Sequence, residues 1–186
     1  MGHMKRALIV VDVQESFRAR PSWASIDNPD IVRPVNRLAA LAREAGDLVV
    51  WVLHTAPGSG GEFDPDSGHV RLLDGLDGPR PGEPVLRKTS HNAFTTTNLQ
   101  QLLTEAGVAE LWVCGIRIEQ CVETTTRLGS DLGYRTVLVP EASATHPIGD
   151  LSAEAITERT VAVLRDRFAR IATVAELAAD VAASSV

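Results

Sequence analysis

The sequence predicts an α/β fold: a three-layer α/β/α sandwich around a mostly parallel, six-stranded sheet. Three observations carry that expectation. Short β-branched runs alternate with segments of helical periodicity, the pattern of strands joined by crossover helices. The first run, Ala7-Leu8-Ile9-Val10-Val11, is apolar without alternation, as in a strand covered on both faces. Helix-stop glycines, Gly46 and Gly107, fall shortly before the next apolar run. Together they describe a Rossmann-like layering.

In chain order, the first strand covers 7–11 and ends at Asp12. A helix over 31–45 follows, with Ile31, Val35, Leu38 and Ala42 on one stripe. Pro34 falls in its first turn, where a missing N–H does no harm. The second strand is 48–54. Residues 57–84 are rich in Gly, Pro and Asp and lack a period; such a loop is functional or poorly ordered. A short third strand, 84–88, ends in Lys88, and a helix over 99–106 stops at Gly107. The fourth strand, 111–115, leads into a helix over 119–132, and the fifth strand is 135–140. A helix over 152–165, a strand over 169–172 and a helix over 174–183 complete the chain, the last opened by a Thr173/Glu176 capping box. With no repeat and no linker, residues 5–186 read as one domain, and Met1, Gly2 and His3 as a cloning remnant.

Composition removes several classes of function. At 186 residues and 44 % hydrophobic, the chain suffices for one substantial core. A formal charge of −6, with scattered basic residues, gives no electrostatic case for nucleic acid or an acidic membrane. No apolar stretch approaches the roughly 20 residues of a membrane span. The two cysteines, Cys114 and Cys121, match neither a zinc spacing nor a redox pair, which points to a reducing cytoplasm. The partner expected is a small-molecule substrate.

Open parallel sheets bind ligands outside the carboxyl ends of their strands. Asp12, Lys88 and Cys121 all fall at such ends. Cys121 sits at a strand-to-helix junction, under the positive end of a helix dipole, which favours thiolate over thiol. A carboxylate beside it can take the proton and return it to a leaving group, while an ammonium offsets the repulsion between two anions. Backbone N–H groups at the junction can meet a tetrahedral oxyanion. The reaction this implies is acyl transfer to sulfur followed by hydrolysis, with a carboxamide as the natural substrate. Cys114, ending a buried strand, reads as a core residue.

These residues resemble the isochorismatase-like cysteine hydrolases, a family that includes nicotinamidases and N-carbamoylsarcosine amidohydrolases. Ala7-Leu8-Ile9-Val10-Val11-Asp12-Val13-Gln14 with Phe17 looks like the family's first strand and aspartate. Lys88-Thr89-Ser90-His91-Asn92-Ala93-Phe94 looks like its lysine segment, and residues 115–122 like its cysteine elbow. The resemblance implies Cys121 as nucleophile, Asp12 as general acid and base, and Lys88 as supporting cation. It also implies a cis peptide at Ile116-Arg117, an oxyanion hole from the N–H groups of Arg117 and Cys121, and a homo-oligomer, dimer or tetramer. Ile118 stands where the family's elbow has Thr. Nicotinamidases hold a metal through Asp and His residues after the second strand; no Asp-x-His follows here, so no metal or other cofactor is expected.

Around this centre, Phe17, Phe94 and Gln120 are candidates for substrate contact. Arg117 selects an anion in the pocket, or bridges to Glu119 or to a partner chain, and Gly129 implies close packing of its helix against a neighbour, within the chain or in another subunit. Two rival readings stand beside the main one. One is isochorismatase-type, non-covalent hydrolysis through Asp12; the other is a non-catalytic small-molecule-binding or redox-sensing domain.

Overall fold

The computed structural model describes residues 5–184, so the first three residues, read above as a cloning remnant, lie outside the described residues. Six parallel strands form one sheet: β1 (Arg6–Val11), β2 (Leu48–His54), β3 (Val85–Lys88), β4 (Glu110–Ile116), β5 (Arg135–Ala144) and β6 (Arg170–Ile171). Their order is β3-β2-β1-β4-β5-β6. The chain therefore builds outward from β1 through β2 to β3, then returns to the other side of β1 with β4. The crevice between β1 and β4 is the point where the order reverses, the usual ligand position in such sheets.

Among the described residues, six α-helices accompany the strands: α1 (Glu15–Arg18), α2 (Val32–Glu44), α3 (Leu99–Ala106), α4 (Glu123–Asp131), α5 (Ala153–Leu164) and α6 (Val174–Ser184). Strand side chains alternate between faces, so each face has its own core. Leu8, Val10, Val49, Trp51 and Trp112 pack with Val35 and Leu38 of α2 and Leu177 of α6. Ala7, Ile9, Val50 and Val113 pack on the other side with Leu99 and Leu103 of α3 and Leu164 of α5. Every β1 residue is buried, as the unbroken apolar run 7–11 requires, and Arg6 ahead of it is buried in a 2.8 Å pair with Asp47. Among the described residues, no helix is long and apolar enough to cross a membrane.

Most element positions follow the sequence reading, including the capping box: the Thr173 N–H donates to Glu176 Oε2 at 2.7 Å, and the Glu176 N–H to Thr173 Oγ1 at 3.2 Å. Three features differ. β5 runs on to Ala144 past Pro140, because a bulge opens the register between Val113 and Gly115 of β4. A residue without an N–H is tolerated where the ladder is already broken. Ser143 repairs the gap, its Oγ accepting from Gly115 N (3.3 Å) and donating to Val139 O (3.0 Å). Second, the helix after β4 begins with a wide π-type turn, Ile118–Val122, before α4 takes over.

Third, residues 57–84 are built rather than loose. Asp64 caps a 3₁₀ turn (Pro65–Ser67) and also accepts from Gly60 N at 2.8 Å. Beyond it, the Glu15 N–H donates to Arg71 O (2.9 Å) and the Leu73 N–H to Val13 O (3.0 Å), a short antiparallel pairing along the segment that follows β1. At its far end Glu83 joins Arg43 at 2.6 Å and accepts from Trp51 Nε1 at 2.8 Å. Gly129 does pack closely, but against its own sheet: a Cβ there would lie 3.1 Å from Leu111 and 3.3 Å from Thr136.

Gly115 is the tightest point. It adopts φ +133°, and a Cβ at this position would sit 1.8 Å from the carbonyl oxygen of Val11. No side chain fits without parting β1 from β4 at the crevice itself. Gly115→Ala is therefore expected to lose at least ~3 kcal/mol of stability. Urea denaturation checks this; an unfolding midpoint equal to wild type would contradict the close approach.

Candidate active site

Asp12 is the first residue beyond β1. Its N–H donates to Val52 O at 2.9 Å, continuing the ladder, while its φ of +55° turns the chain out of the sheet. Aspartate tolerates this left-handed conformation better than most residues, yet it still costs roughly 1–3 kcal/mol, and such strain concentrates at functional sites. The turn leaves the carboxyl group fully buried at the carboxyl edge.

Lys88 ends β3, two strands away, and is also fully buried. Its four-carbon stem crosses the end of β2 to place Nζ 2.7 Å from Asp12 Oδ2. The ammonium also meets Ser90 O at 3.1 Å and His54 Nδ1 at 3.2 Å. An ammonium can only donate, so His54 must accept at Nδ1 and carry its own proton on Nε2. Burial pushes His54 down to about 4, and the neighbouring Lys88 charge acts in the same direction, so the ring is neutral at ordinary pH. Gln14 fixes the backbone beneath that ring, accepting from His54 N (2.8 Å) and donating to His54 O (3.0 Å). The Asp12–Lys88 contact is close but off-axis, and neither carboxylate oxygen has a well-aligned donor among the described residues. Lone pairs are thus left for another proton.

Cys121 lies in the π turn, and only 7 % of it is exposed. Its thiol interacts with both Asp12 and Lys88. Thr125 ties the turn to the lysine segment, its Oγ1 donating to Cys121 O (2.7 Å) and accepting from Ala93 N (3.1 Å). Burial, reinforced by the Asp12 carboxylate, pushes the Cys121 thiol up to about 12 against the lowering influence of Lys88. Asp12 is also raised, by burial first, with Lys88 opposing. Two adjacent acids facing one cation keep one proton between them. The thiolate expected from the helix dipole is accordingly not the resting form: burial and the carboxylate outweigh the field of the helix end.

The peptide between Ile116 and Arg117 is cis. The Arg117 carbonyl accepts from Gln120 N (3.1 Å) and Val122 N (3.2 Å), while its N–H has no acceptor among the described residues. The Arg117 side chain pairs with Glu119 at 2.6 Å, one of the alternatives posed by the sequence. Gln120 is half-buried on the same turn. Ile118, in place of a hydroxyl, is buried in the core beside Val122.

Phe17 stands at the site through an aromatic chain: its ring meets Phe63 edge-on at 5.0 Å, and Phe63 meets His54 at 5.6 Å. Phe94 does not. Its ring stacks on Tyr134 at 6.2 Å and approaches the Gly129 position, so it points down toward the amino ends of the strands, where Tyr134 precedes β5. Its closeness to Lys88 in sequence misled, because the chain descends from the carboxyl edge of the sheet between them. Gln14 and Phe63 were not singled out from sequence, whereas His54 reads there as equally a satisfied strand-end histidine or a binding group. His54 had a signal, since it ends a strand as Asp12 and Lys88 do; Phe63 had none within an aperiodic loop. Among the described residues, no three His, Cys, Asp or Glu side chains gather in a metal-binding arrangement.

Two outcomes follow from these electrostatics. Lys88→Met leaves Asp12 buried without its cation and is expected to lose about 3–5 kcal/mol at pH 7. That deficit shrinks as pH falls and the lone carboxyl takes up a proton; a deficit constant from pH 8 to pH 5 would count against the buried pair. Alkylation of Cys121 by iodoacetamide is expected to accelerate about tenfold per pH unit from pH 7 to pH 10, as the thiolate fraction grows. A plateau below pH 8 would contradict a thiol raised by burial.

Residues 6–176 match the sequence model of the isochorismatase domain. An uncharacterized isochorismatase family protein, YrdC of Bacillus subtilis, is 30 % identical over 95 % of this chain and 96 % of its own length. A streptothricin hydrolase of Streptomyces noursei is 37 % identical over 88 % of this chain, which spans 63 % of that relative. The crystal structure of an isochorismatase from Pseudomonas putida superposes with a TM-score of 0.84 at 34 % identity, covering 95 % of this chain and 93 % of that one. With the model spanning nearly all of the sheet and its helices, the chain is a member of the isochorismatase family of hydrolases.

Proposed function

We propose that the chain is a cysteine hydrolase that cleaves a small carboxamide or related C–N bond through a Cys121 acyl-enzyme. The observation that carries this reading is the buried Asp12–Lys88 pair, at 2.7 Å, set against the Cys121 thiol. The order of events follows from the proton count. Asp12, ionised beside Lys88, takes the thiol proton as sulfur attacks the carbonyl carbon, so the thiolate exists only as the C–S bond forms. The oxygen that gains charge is met by the N–H groups of Arg117 and Cys121. Asp12 then returns the proton to the departing nitrogen, leaving a thioester. Water, deprotonated by Asp12, attacks the thioester; the acid departs and the thiol is restored.

Lys88 holds Asp12 in place and keeps it ionised while the thiol is still protonated. A neutral His54 is the partner that role needs, because a second positive charge would repel the Lys88 ammonium and leave it no acceptor at Nδ1. Phe17 and Phe63 offer an apolar, edge-on wall for the acyl group, and Gln120 a polar contact on the elbow.

One observation favours a second reading. An Asp12 raised by burial could act as an acid toward the substrate directly, hydrolysing it without a covalent intermediate. Cys121→Ala separates the two. Turnover of a panel of small carboxamides is expected to fall at least ~10³-fold, and mass spectrometry of quenched wild type to show an acyl adduct on Cys121. Turnover surviving in the alanine variant would sink covalent catalysis and leave Asp12 as the sole centre.

A further inference from the structure

The elbow carries a second charged pair that the proton transfers do not use. Arg117 Nη2 and Glu119 Oε1 are 2.6 Å apart, with side chains only 12 % and 10 % exposed. Nη2 and both Glu119 oxygens are shut off from solvent and have no other well-aligned hydrogen-bond partner among the described residues. A buried pair so sparsely satisfied contributes little net stability, because desolvation offsets its attraction. What it does provide is a fixed geometry at one residue.

Arg117 is fixed from two sides. Its carbonyl accepts two N–H groups of the π turn, from Gln120 and Val122. Its side chain spans Glu119 and, through Nε, Thr145 Oγ1 at 3.4 Å. Thr145 is itself held by Asp27: the Thr145 N–H donates to Asp27 Oδ1 (2.8 Å), and the Asp27 N–H to Thr145 O (2.9 Å). Thr145 follows β5, on the opposite side of β4 from Asp12. The guanidinium is thus directed toward β5 rather than toward the acid–base centre, and the backbone N–H of the same residue has no acceptor among the described residues.

We propose that the Arg117–Glu119 pair is a positioning device that holds the Arg117 N–H where the oxyanion forms, and that it takes no part in binding the substrate's own charge. This rests on the cysteine-hydrolase reading above. The pair acts through the backbone: loosening it lets the peptide plane between Ile116 and Arg117 tilt, and the N–H swings off the oxyanion while Cys121, Asp12 and Lys88 stay in place.

Two probes of similar size separate these effects. Iodoacetamide alkylates sulfur by displacement at a methylene carbon and places no charge on a carbonyl oxygen. Acetaldehyde adds to the thiol: the C–S bond forms, the S–H proton passes to the former carbonyl oxygen, and that oxygen occupies the oxyanion position. Adduct formation is followed by NMR with 13C-labelled acetaldehyde, with Cys121→Ala as the blank. In the double variant Arg117→Gln/Glu119→Gln, acetaldehyde affinity and carboxamide kcat are expected to fall roughly 10²-fold, as when an oxyanion donor is lost. KM and the alkylation rate at pH 8 are expected to change less than about threefold. Arg117→Lys, which keeps the charge, is expected to recover most of the loss; if the double variant does not fold, Glu119→Gln alone is read in the same way.

Equal losses in alkylation and acetaldehyde affinity would overturn the proposal, since the pair would then be merely structural. So would a rise in KM without loss of kcat, which would assign Arg117 to substrate charge. A wild-type thiol that alkylates but takes up no acetaldehyde overturns the proposal and leaves the nucleophile standing. Full carboxamide turnover by Cys121→Ala would instead defeat the underlying reading.

Discussion

A lysine that reaches across one strand to a carboxylate two strands away organises the carboxyl edge of this sheet. β3 is a four-residue edge strand, yet its last residue contributes the cation that Asp12 needs. Taking an ammonium and a carboxylate out of water costs several kcal/mol each, and their attraction offsets this only when the remaining protons find acceptors. Ser90 O and His54 Nδ1 supply them. The strands at this end are coupled as a result: β1 through Asp12, β2 through His54 and β3 through Lys88. The backbone repeats the link where the Thr55 N–H donates to Lys88 O at 2.8 Å.

β4 joins this edge by a different device, steric rather than electrostatic. Gly115 lets the end of β4 come so close to Val11 that no Cβ fits between them. The π turn then brings Cys121 to the Asp12–Lys88 pair and leaves one proton to be shared. Resting stability and reactivity are separated by this arrangement. On the cysteine-hydrolase reading, a neutral thiol and a compensated carboxylate wait together until a carbonyl carbon is available to accept the sulfur's electrons.

Much of this was legible in the sequence, for definite physical reasons. The fold was readable because β1 is a continuous apolar run and because glycines mark the ends of α2 and α3, so pattern and structure agree locally. The meeting of Asp12, Lys88 and Cys121 at one edge was readable because Asp12 and Lys88 close strand runs and Cys121 lies in the turn after another, which in a parallel sheet fixes the edge they occupy. What sequence could not show depends on contacts between distant segments. Pro140 looked like the end of β5 because the bulge that accommodates it is set by β4 and mended by Ser143. The order of residues 57–84 comes from Val13, Glu15 and Arg43 rather than from any period of its own. Phe94 required the course of the chain between β3 and α3. The resting thiol required knowing how deeply Cys121 is covered, since a helix end alone would have favoured the anion.

The placement of the two cysteines has a chemical consequence. Cys114 faces the α2–α6 side of the sheet and Cys121 the α3–α4 side, so a layer of backbone separates them. An oxidised Cys121 therefore has no second thiol of its own chain to resolve a sulfenic acid as a disulfide, and further oxidation is irreversible. Protection has to come before the first encounter with an oxidant. The protonated, covered sulfur supplies it, because peroxides react with the thiolate, and burial disfavours that form here. On the cysteine-hydrolase reading, the burial that blunts the nucleophile is thus also what preserves it between turnovers.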